Sequence, residues 1–158
     1  MTKSLLFLSA AGILFASSAL AVTVNGTAVA VIKTAINASQ TQGMDFGIIE
    51  SKSTAGTVTV SAAGTRSSST HTAYGTAKQS IFSISGDKNT SVNYSYTNST
   101  LTNGSGGSMT LSNFTPAASS FNTDASGNYT LNVGADLGVG ANQANGTYNG
   151  TYVLTLSY

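Results

Sequence analysis

The last part of the chain alternates between apolar and polar residues, and this two-residue period constrains the fold more than any other feature. In GTYNGTYVLTLSY, Tyr152, Leu154 and Leu156 occupy every second position. Residues spaced in this way lie on one face of an extended strand. The sequence therefore predicts a C-terminal β-strand over residues 148–158 with one apolar face. That face and the glycine shortly before it comprise Gly146, Tyr148, Tyr152, Leu154, Leu156 and Tyr158.

Similar short segments fill the rest of the chain, separated by clusters of Gly, Asn, Asp and Ser such as TNGSGG and DASGN. Such clusters form tight turns, and the segments between them show no helical period. The sequence thus predicts an all-β protein, and about eight strands at this spacing are typical of a β-sandwich. The predicted strands cover residues 22–32, 44–49, 57–62, 80–85, 91–97, 108–114, 129–133, 137–141 and 148–158.

The N-terminus has the features of an export signal. Lys3 precedes an apolar run over residues 5–16, and the sequence Ala-Leu-Ala that ends at Ala21 has the small residues of a cleavage site. The apolar run is too short to span a bilayer as a helix. We therefore expect a signal peptide at residues 1–21, an N-terminal extension and linker at residues 22–43, and a single domain at residues 44–158.

Charged residues are scarce, because only 7% of the chain is Asp, Glu, Lys or Arg, with six basic and five acidic residues. The basic residues are scattered, whereas nucleic-acid binding requires Lys and Arg side chains gathered against phosphates. This pattern predicts no nucleic-acid partner. Low charge also leaves little electrostatic repulsion between copies of the chain, and so favours association.

Residue patterns typical of catalysis or metal binding do not stand out in the sequence. His71 is the single histidine and the chain has no cysteine, so a zinc site lacks its usual ligands. His71 lies in the Ser/Thr-rich stretch 64–79, which we interpret as a surface loop with an exposed histidine. Asp124, in TDASGN, is interpreted as a turn residue. We expect no enzymatic activity, no catalytic, cofactor or metal site, and no small-molecule substrate.

The C-terminal strand resembles that of chaperone–usher pilus subunits, which carry a glycine near its start, alternating apolar residues, and a tyrosine at or next to the end. The order of MDFGIIESKSTAGTVTVSAAGTRS, FSISGDKNTSVNYSYT, MTLSNF and LNVGADLGVGANQANGTYNGTYVLTLSY is similar to a cysteine-free family of exported bacterial proteins known as a pilin-like domain of unknown function. The resemblance implies an immunoglobulin-like sandwich that lacks one strand. A periplasmic chaperone, acting with an outer-membrane usher, would fill the gap first, and the N-terminal extension of the next subunit would then replace it.

Residues 22–32 provide a candidate for that extension, because one face of the extended segment alternates with a second face that carries Thr23, Asn25, Thr27, Val29, Val31 and Lys33. The small residues Gly26 and Ala28 suit a narrow part of a groove, and Val22, Val24 and Ile32 suit deeper pockets. An alternative interpretation is that residues 22–32 form the first strand of the chain's own sandwich. The face predicted to enter the groove consists of Val22, Val24, Gly26, Ala28, Ala30 and Ile32.

These features together predict a structural subunit of a bacterial fimbria or pilus, assembled by strand addition with copies of itself or related pilins. Such a subunit passes through the periplasm and ends at the cell surface. One alternative is a monomeric secreted or surface-bound β-sandwich that acts as a binding module. A second alternative is a small outer-membrane β-barrel, which is disfavoured because membrane strands need ~9–11 residues with a continuously apolar outer face.

Overall fold

The structure, a computed structural model, describes residues 21–116 and 119–158. Across these ranges the chain forms no helix, and hence none long and apolar enough to cross a membrane. The predicted all-β class is confirmed. The strands are β1 Asn37–Gln42, β2 Ile48–Ile49, β3 Gly56–Val60, β4 Arg66–Ser68, β5 Ala73–Tyr74, β6 Ser80–Ser85, β7 Ser91–Thr97, β8 Ser99–Thr102, β9 Ser108–Thr115, β10 Ser120–Asn122, β11 Asn128–Val139 and β12 Val153–Ser157.

The strands form two main antiparallel sheets and one short ribbon. The larger sheet has the order β1-β6-β11-β3-β4, with β9 also paired to β11 and β8 paired to β9. The smaller sheet has the order β10-β7-β12, and β2 pairs with β5 in the ribbon. β1 and β12 are therefore edge strands of different sheets, a position that matters for the site described below.

β11 is the central strand of the larger sheet. Its first half pairs with β6, and its second half pairs with β3 and β9. The sequence predicted two strands here, at residues 129–133 and 137–141. The structure has one strand instead, in which Gly134 lies against the backbone of β3, where a side chain would collide with the carbonyl of Val60.

A single hydrophobic core joins the two sheets and confirms the predicted β-sandwich. Val58 of β3, Leu131 of β11 and Val92 of β7 are fully buried. Phe121 of β10 stacks on Tyr129 of β11 with ring centroids 4.0 Å apart. Burial of each such aliphatic side chain contributes about 1.5–3 kcal/mol to stability.

The described residues form twelve strands where the sequence suggested about eight, because several short strands carry too few apolar residues to show a pattern. β1, with the sequence NASQTQ, is exposed along nearly its whole length. Side chains help to hold it to β6, since the amide of Gln42 donates to the carbonyl of Gln79 at 2.7 Å and the amide of Gln40 donates to the hydroxyl of Ser80 at 3.1 Å.

Ile32–Tyr158 forms one compact unit. It includes β1, so the domain contains residues that were predicted to be a linker before residue 44. Residues 21–31 form no strand and are exposed throughout. The strand predicted at residues 22–32, and with it a first strand of the chain's own sandwich, is therefore not formed in this structure. The predicted signal peptide, apart from Ala21, lies outside the described residues.

Candidate functional site

An open groove of about 950 Å³ lies between two stretches of chain, residues 40–51 and residues 143–152. Its floor is formed by apolar side chains of β6, β8, β9 and β11, four strands of the larger sheet. Phe82 and Leu101 are half-buried, whereas Met109, Leu111, Leu137 and Val139 belong to the buried core, so the floor is open to solvent mainly at the first two side chains. The floor residues are Phe82, Leu101, Met109, Leu111, Leu137 and Val139.

Residues 40–51 form the first wall of the groove. The sequence predicted a strand over residues 44–49, but only Ile48 and Ile49 are in a strand, paired with β5. Asp45 makes an isolated bridge with Lys78, and its carboxylate accepts a hydrogen bond of 2.8 Å from the backbone of Gly47. Gly47 has a φ of 75°, a left-handed conformation that favours glycine and turns the chain. This turn is the reason that the predicted strand is broken.

Arg66 holds the first wall to the neighbouring ribbon. Its guanidinium donates to the carbonyls of Phe46 at 2.9 Å, Tyr74 at 2.9 Å and Ala73 at 2.8 Å. Hydrogen bonds from a charged group are stronger than those between neutral groups, and the fixed fork of a guanidinium suits several acceptors at once. Arg66 thus adds three side-chain hydrogen bonds to the backbone pairing of Ile48 and Ile49 with β5 and of Asp45 with Lys78. It lies in the stretch 64–79 that the sequence indicated to be a surface loop.

Residues 143–152 form the second wall. Within the described parts of the chain, Asn149 is the one residue of this stretch with backbone–backbone hydrogen bonds, two of 2.9 Å to Thr102. Tyr148 braces the wall, because its hydroxyl donates to the carbonyl of Ala144 at 2.7 Å and accepts from the amide of Gln143 at 2.7 Å. Most backbone groups of this wall are thus without a backbone partner among the described residues.

β12 continues from the second wall and covers less of the chain than predicted, Val153–Ser157 instead of residues 148–158. The chain before it does not pair as a strand because Gly150 lies against β8, where a side chain would collide with Thr100 and Leu101. β12 pairs with β7 alone, so its second edge is unpaired in the described chain.

The predicted inward face of the C-terminal strand is present. Tyr152, Leu154 and Leu156 alternate with exposed residues, pack against the core, and are half-buried. They are not more deeply buried because the unpaired edge of β12 leaves them uncovered on one side. Half-buried apolar residues at an open edge are the kind of surface that another strand can cover.

An aromatic cluster continues the groove into the core. The ring of Tyr152 packs against Phe114 with centroids 4.8 Å apart, and Phe114 stacks on Tyr96 at 5.0 Å. The hydroxyls of Tyr152 and Tyr96 are buried without a hydrogen-bond partner in the described structure. Burial raises the pKa of both phenols, and also that of Tyr94.

The structure brings together only part of the predicted interface. Gly146, Tyr148 and Tyr152 line the groove, whereas Leu154 and Leu156 follow on β12 and Tyr158 lies beyond its end. The N-terminal set is exposed, with Val22 84% and Ile32 95% accessible. The other members of that set, exposed as well, are Val24, Gly26, Ala28 and Ala30.

The prediction that His71 is exposed is wrong, because only 5% of the residue is accessible. Its stretch of chain is ordered by β4 and β5, and the ring packs against Gly56. Nδ1 lies 3.0 Å from the carbonyl oxygen of Glu50. Asp124 is a turn residue as predicted, since its carboxylate accepts from the backbone N–H groups of Ser126 and Asn128, both at 2.8 Å. Among the described residues, no group of three His, Cys, Asp or Glu side chains is placed to hold a metal ion.

The groove and the two edge strands beside it lie within a region that is shared with other proteins. Searches among curated proteins and among solved structures found no match for this chain. A comparison with protein families matches residues 36–158 to a domain of unknown function, DUF4402. The match extends from just before β1 to the C-terminal residue and covers most of the chain. The chain therefore belongs to the DUF4402 family.

Proposed function

We propose that this chain is a structural, non-enzymatic subunit of a bacterial surface filament, a fimbria or pilus, which assembles by strand addition. The observation that carries the proposal is the open groove between residues 40–51 and 143–152, which has an apolar floor and polar side chains along its walls. In this proposal the subunit is exported, meets a periplasmic chaperone and an outer-membrane usher, and polymerises with copies of itself or with related pilins at the cell surface.

The groove has the two properties that a strand-binding site needs. Its floor offers apolar side chains, and β1 and β12 beside it are edge strands with one unpaired side. An extended peptide can bind such a site through main-chain hydrogen bonds, while alternate side chains enter the apolar floor. Covering the exposed parts of Phe82, Leu101 and Tyr152 contributes about 25 cal/mol for each Å² of apolar surface removed from water.

We assign residues 22–32 of a second copy as the occupant. On the face assigned to the groove, Val22, Val24 and Ile32 are among the most exposed large apolar residues in the described chain, which is unfavourable unless a partner covers them. Gly26 and Ala28, at the centre of the segment, allow close approach to the groove floor. Because the segment is nearly free of charge, its burial requires little desolvation of ionised groups.

The direction of the chain decides which edge strand the segment can pair with in an antiparallel way. The compact unit begins beside the end of β12, because the carbonyl of Thr34 accepts a hydrogen bond from Tyr158. Folded back into its own groove, the segment would run antiparallel to β1 but parallel to β12. The segment of another copy can run antiparallel to β12, and we assign this arrangement because β12 carries the half-buried apolar face and antiparallel pairing is slightly more stable for each residue.

The proposal is tested by supplying the segment as a free peptide. A variant without residues 22–32 is mixed with a peptide that copies residues 22–33, and its unfolding midpoint is measured as the peptide concentration rises. At 100 times the dissociation constant, binding should raise the free energy of unfolding by about 2.7 kcal/mol. A peptide with Ala28→Asp serves as the control and should have no effect.

The opposite result has a specific meaning. If neither peptide changes the midpoint, and the deletion variant is as stable as a full chain that stays monomeric at high concentration, strand addition is wrong. The chain would then be a self-contained sandwich that acts as a monomeric binding module.

A further inference from the structure

Side chains from three separate parts of the domain meet where the N-terminal extension joins it. The hydroxyl of Tyr158 donates to the carbonyl of Thr34 at 2.6 Å and accepts from the backbone N–H of Asp87 at 2.7 Å. The backbone N–H of Thr34 donates to the Asp87 carboxylate at 2.9 Å. The ammonium group of Lys33 lies over the ring of Tyr158, 4.5 Å from its centroid. We call these four residues the root clasp.

Thr34 is not in a strand, yet both its backbone N–H and its carbonyl are hydrogen-bonded by side chains of the root clasp. Backbone segments at an exposed chain end are ordinarily satisfied by water, so two side-chain partners on one residue are a specific restraint. The Thr34 hydrogen bond, with a smaller contribution from the charge of Lys33, lowers the pKa of the Asp87 carboxyl. Gly86 allows this approach, because a side chain there would collide with the Tyr158 hydroxyl.

We infer that the root clasp fixes the point at which residues 22–32, here called the donor segment, leave the domain. Tyr158 is then a positioning residue for the donor segment. The clasp can be tested by itself, whereas its role in assembly rests on the proposed function. Four residues, 33–36, separate the donor segment from β1. If they were unrestrained, they could extend by about 13 Å, and the spacing between successive subunits would vary by a similar length.

The clasp itself is tested by limited digestion with trypsin, which cleaves after lysine. Cleavage of the Lys33–Thr34 bond requires the hydrogen bonds of Thr34 to open first. Tyr158→Phe keeps the ring under Lys33 but removes the hydroxyl, and Asp87→Ala removes the carboxylate. Each variant of the chain 22–158 should be cut at this bond about fivefold faster than wild type, as expected for the loss of one net hydrogen bond. Tyr74→Phe, which alters an exposed tyrosine in the ribbon, is the matched control and should change nothing.

The fragment 34–158 that remains after this cut provides an internal measure of global stability. Its rate of degradation should be the same in all variants. The clasp is contradicted if cleavage at Lys33 in Tyr158→Phe equals that in Tyr74→Phe. It is equally contradicted if cleavage at Lys33 and degradation of the fragment accelerate by the same factor, since the effect is then global unfolding.

A second measurement separates the clasp from the proposed function. Tyr158 does not line the groove. When Tyr158→Phe is introduced into the variant without residues 22–32, the affinity for the 22–33 peptide should therefore not change. Filaments of full-length Tyr158→Phe should show a wider spread of subunit spacings in electron micrographs. If the clasp is present but wild-type deletion protein does not bind the peptide, the filament proposal fails and the clasp remains. If peptide binding is present and subunit spacing is unchanged in Tyr158→Phe, the positioning role fails and the filament proposal remains.

Discussion

The ring of Tyr152 meets the ring of Phe82 edge-on at the groove, with centroids 6.2 Å apart and an angle of 83° between the ring planes. Phe82 comes from β6 in the larger sheet, and Tyr152 directly precedes β12 in the smaller one. The contact therefore joins the two sheets beside the groove. Edge-to-face aromatic pairs contribute about 0.5–1.5 kcal/mol beyond the area that they bury.

The hydroxyl of Tyr152 provides the first prediction. Because this group is buried without a partner, Tyr152→Phe should leave the free energy of unfolding unchanged or raise it by about 1 kcal/mol. Tyr148→Phe is the matched control, since it removes a hydroxyl with two good hydrogen bonds and should lower the free energy of unfolding by about 1 kcal/mol. Denaturant unfolding of both variants is the measurement, and the prediction fails if Tyr152→Phe is the more destabilising of the two.

The second prediction concerns the open edge of β12. Leu154 is half-buried, so Leu154→Ala should lower the free energy of unfolding of the isolated subunit by only about 1–2 kcal/mol. Leu131, at 1% accessibility, is the control for a fully buried leucine, and Leu131→Ala should cost about 2–5 kcal/mol. Equal effects in the two variants would mean that the edge of β12 is covered in the isolated subunit.

A third prediction follows from the three carbonyls around Arg66. Arg66→Lys keeps the charge but replaces the two guanidinium nitrogens that contact these carbonyls with a single ammonium nitrogen, and should cost about 1–3 kcal/mol of stability. The same variant should bind the 22–33 peptide more weakly, because the first wall of the groove loses its anchor. Lys88→Ala, which removes an exposed charge, is the control. Unchanged peptide affinity in Arg66→Lys would show that the wall is held by other contacts.

The buried phenols predict loss of stability at alkaline pH. The pKa values of Tyr94, Tyr96 and Tyr152 are raised above 10.0, mainly because burial disfavours the phenolate. A group whose pKa is higher in the folded state stabilises the fold fully below its unfolded pKa. That contribution is lost as the pH rises from about 10 towards the folded pKa. Unfolding midpoints should therefore fall steeply above about pH 10, and the fall should be shallower in Tyr152→Phe. A midpoint that is constant to pH 12 would contradict this.

Much of the sandwich could be predicted from the sequence, because strands with one buried face carry a two-residue period. β6 and β7 have the predicted bounds, and the inward face of β12 was predicted correctly. β1 could not be predicted, since neither of its faces is buried and its six residues are polar or small. For strands of this kind, side-chain hydrogen bonds and pairing with a neighbour determine the structure, and neither leaves a periodic signal.

The groove was expected only through a resemblance, and its walls could not be derived from alternation. Residues 44–49 and 148–152 alternate like strands, but a turn at Gly47 and the close approach of Gly150 to β8 limit their pairing to the short strand β2 and two isolated bridges. The contacts of Arg66 and Tyr158 were not predicted, because these contacts are made with residues that are distant in sequence. Local pattern thus predicts which residues are apolar, whereas the fold decides which of them remain uncovered.

The central claim, that residues 22–32 of one copy fill the groove of another, is tested most directly by a pair of charge substitutions on opposite faces of the segment. Ala28→Asp places a carboxylate on the face assigned to the groove, where burial without a partner costs several kcal/mol. Thr27→Asp places the same charge on the outward face. Electrophoresis after mild SDS treatment should show ladders of polymers for wild type and Thr27→Asp, and monomers alone for Ala28→Asp. Ladders of equal intensity in all three proteins, or monomers in all three, would contradict strand addition through this segment.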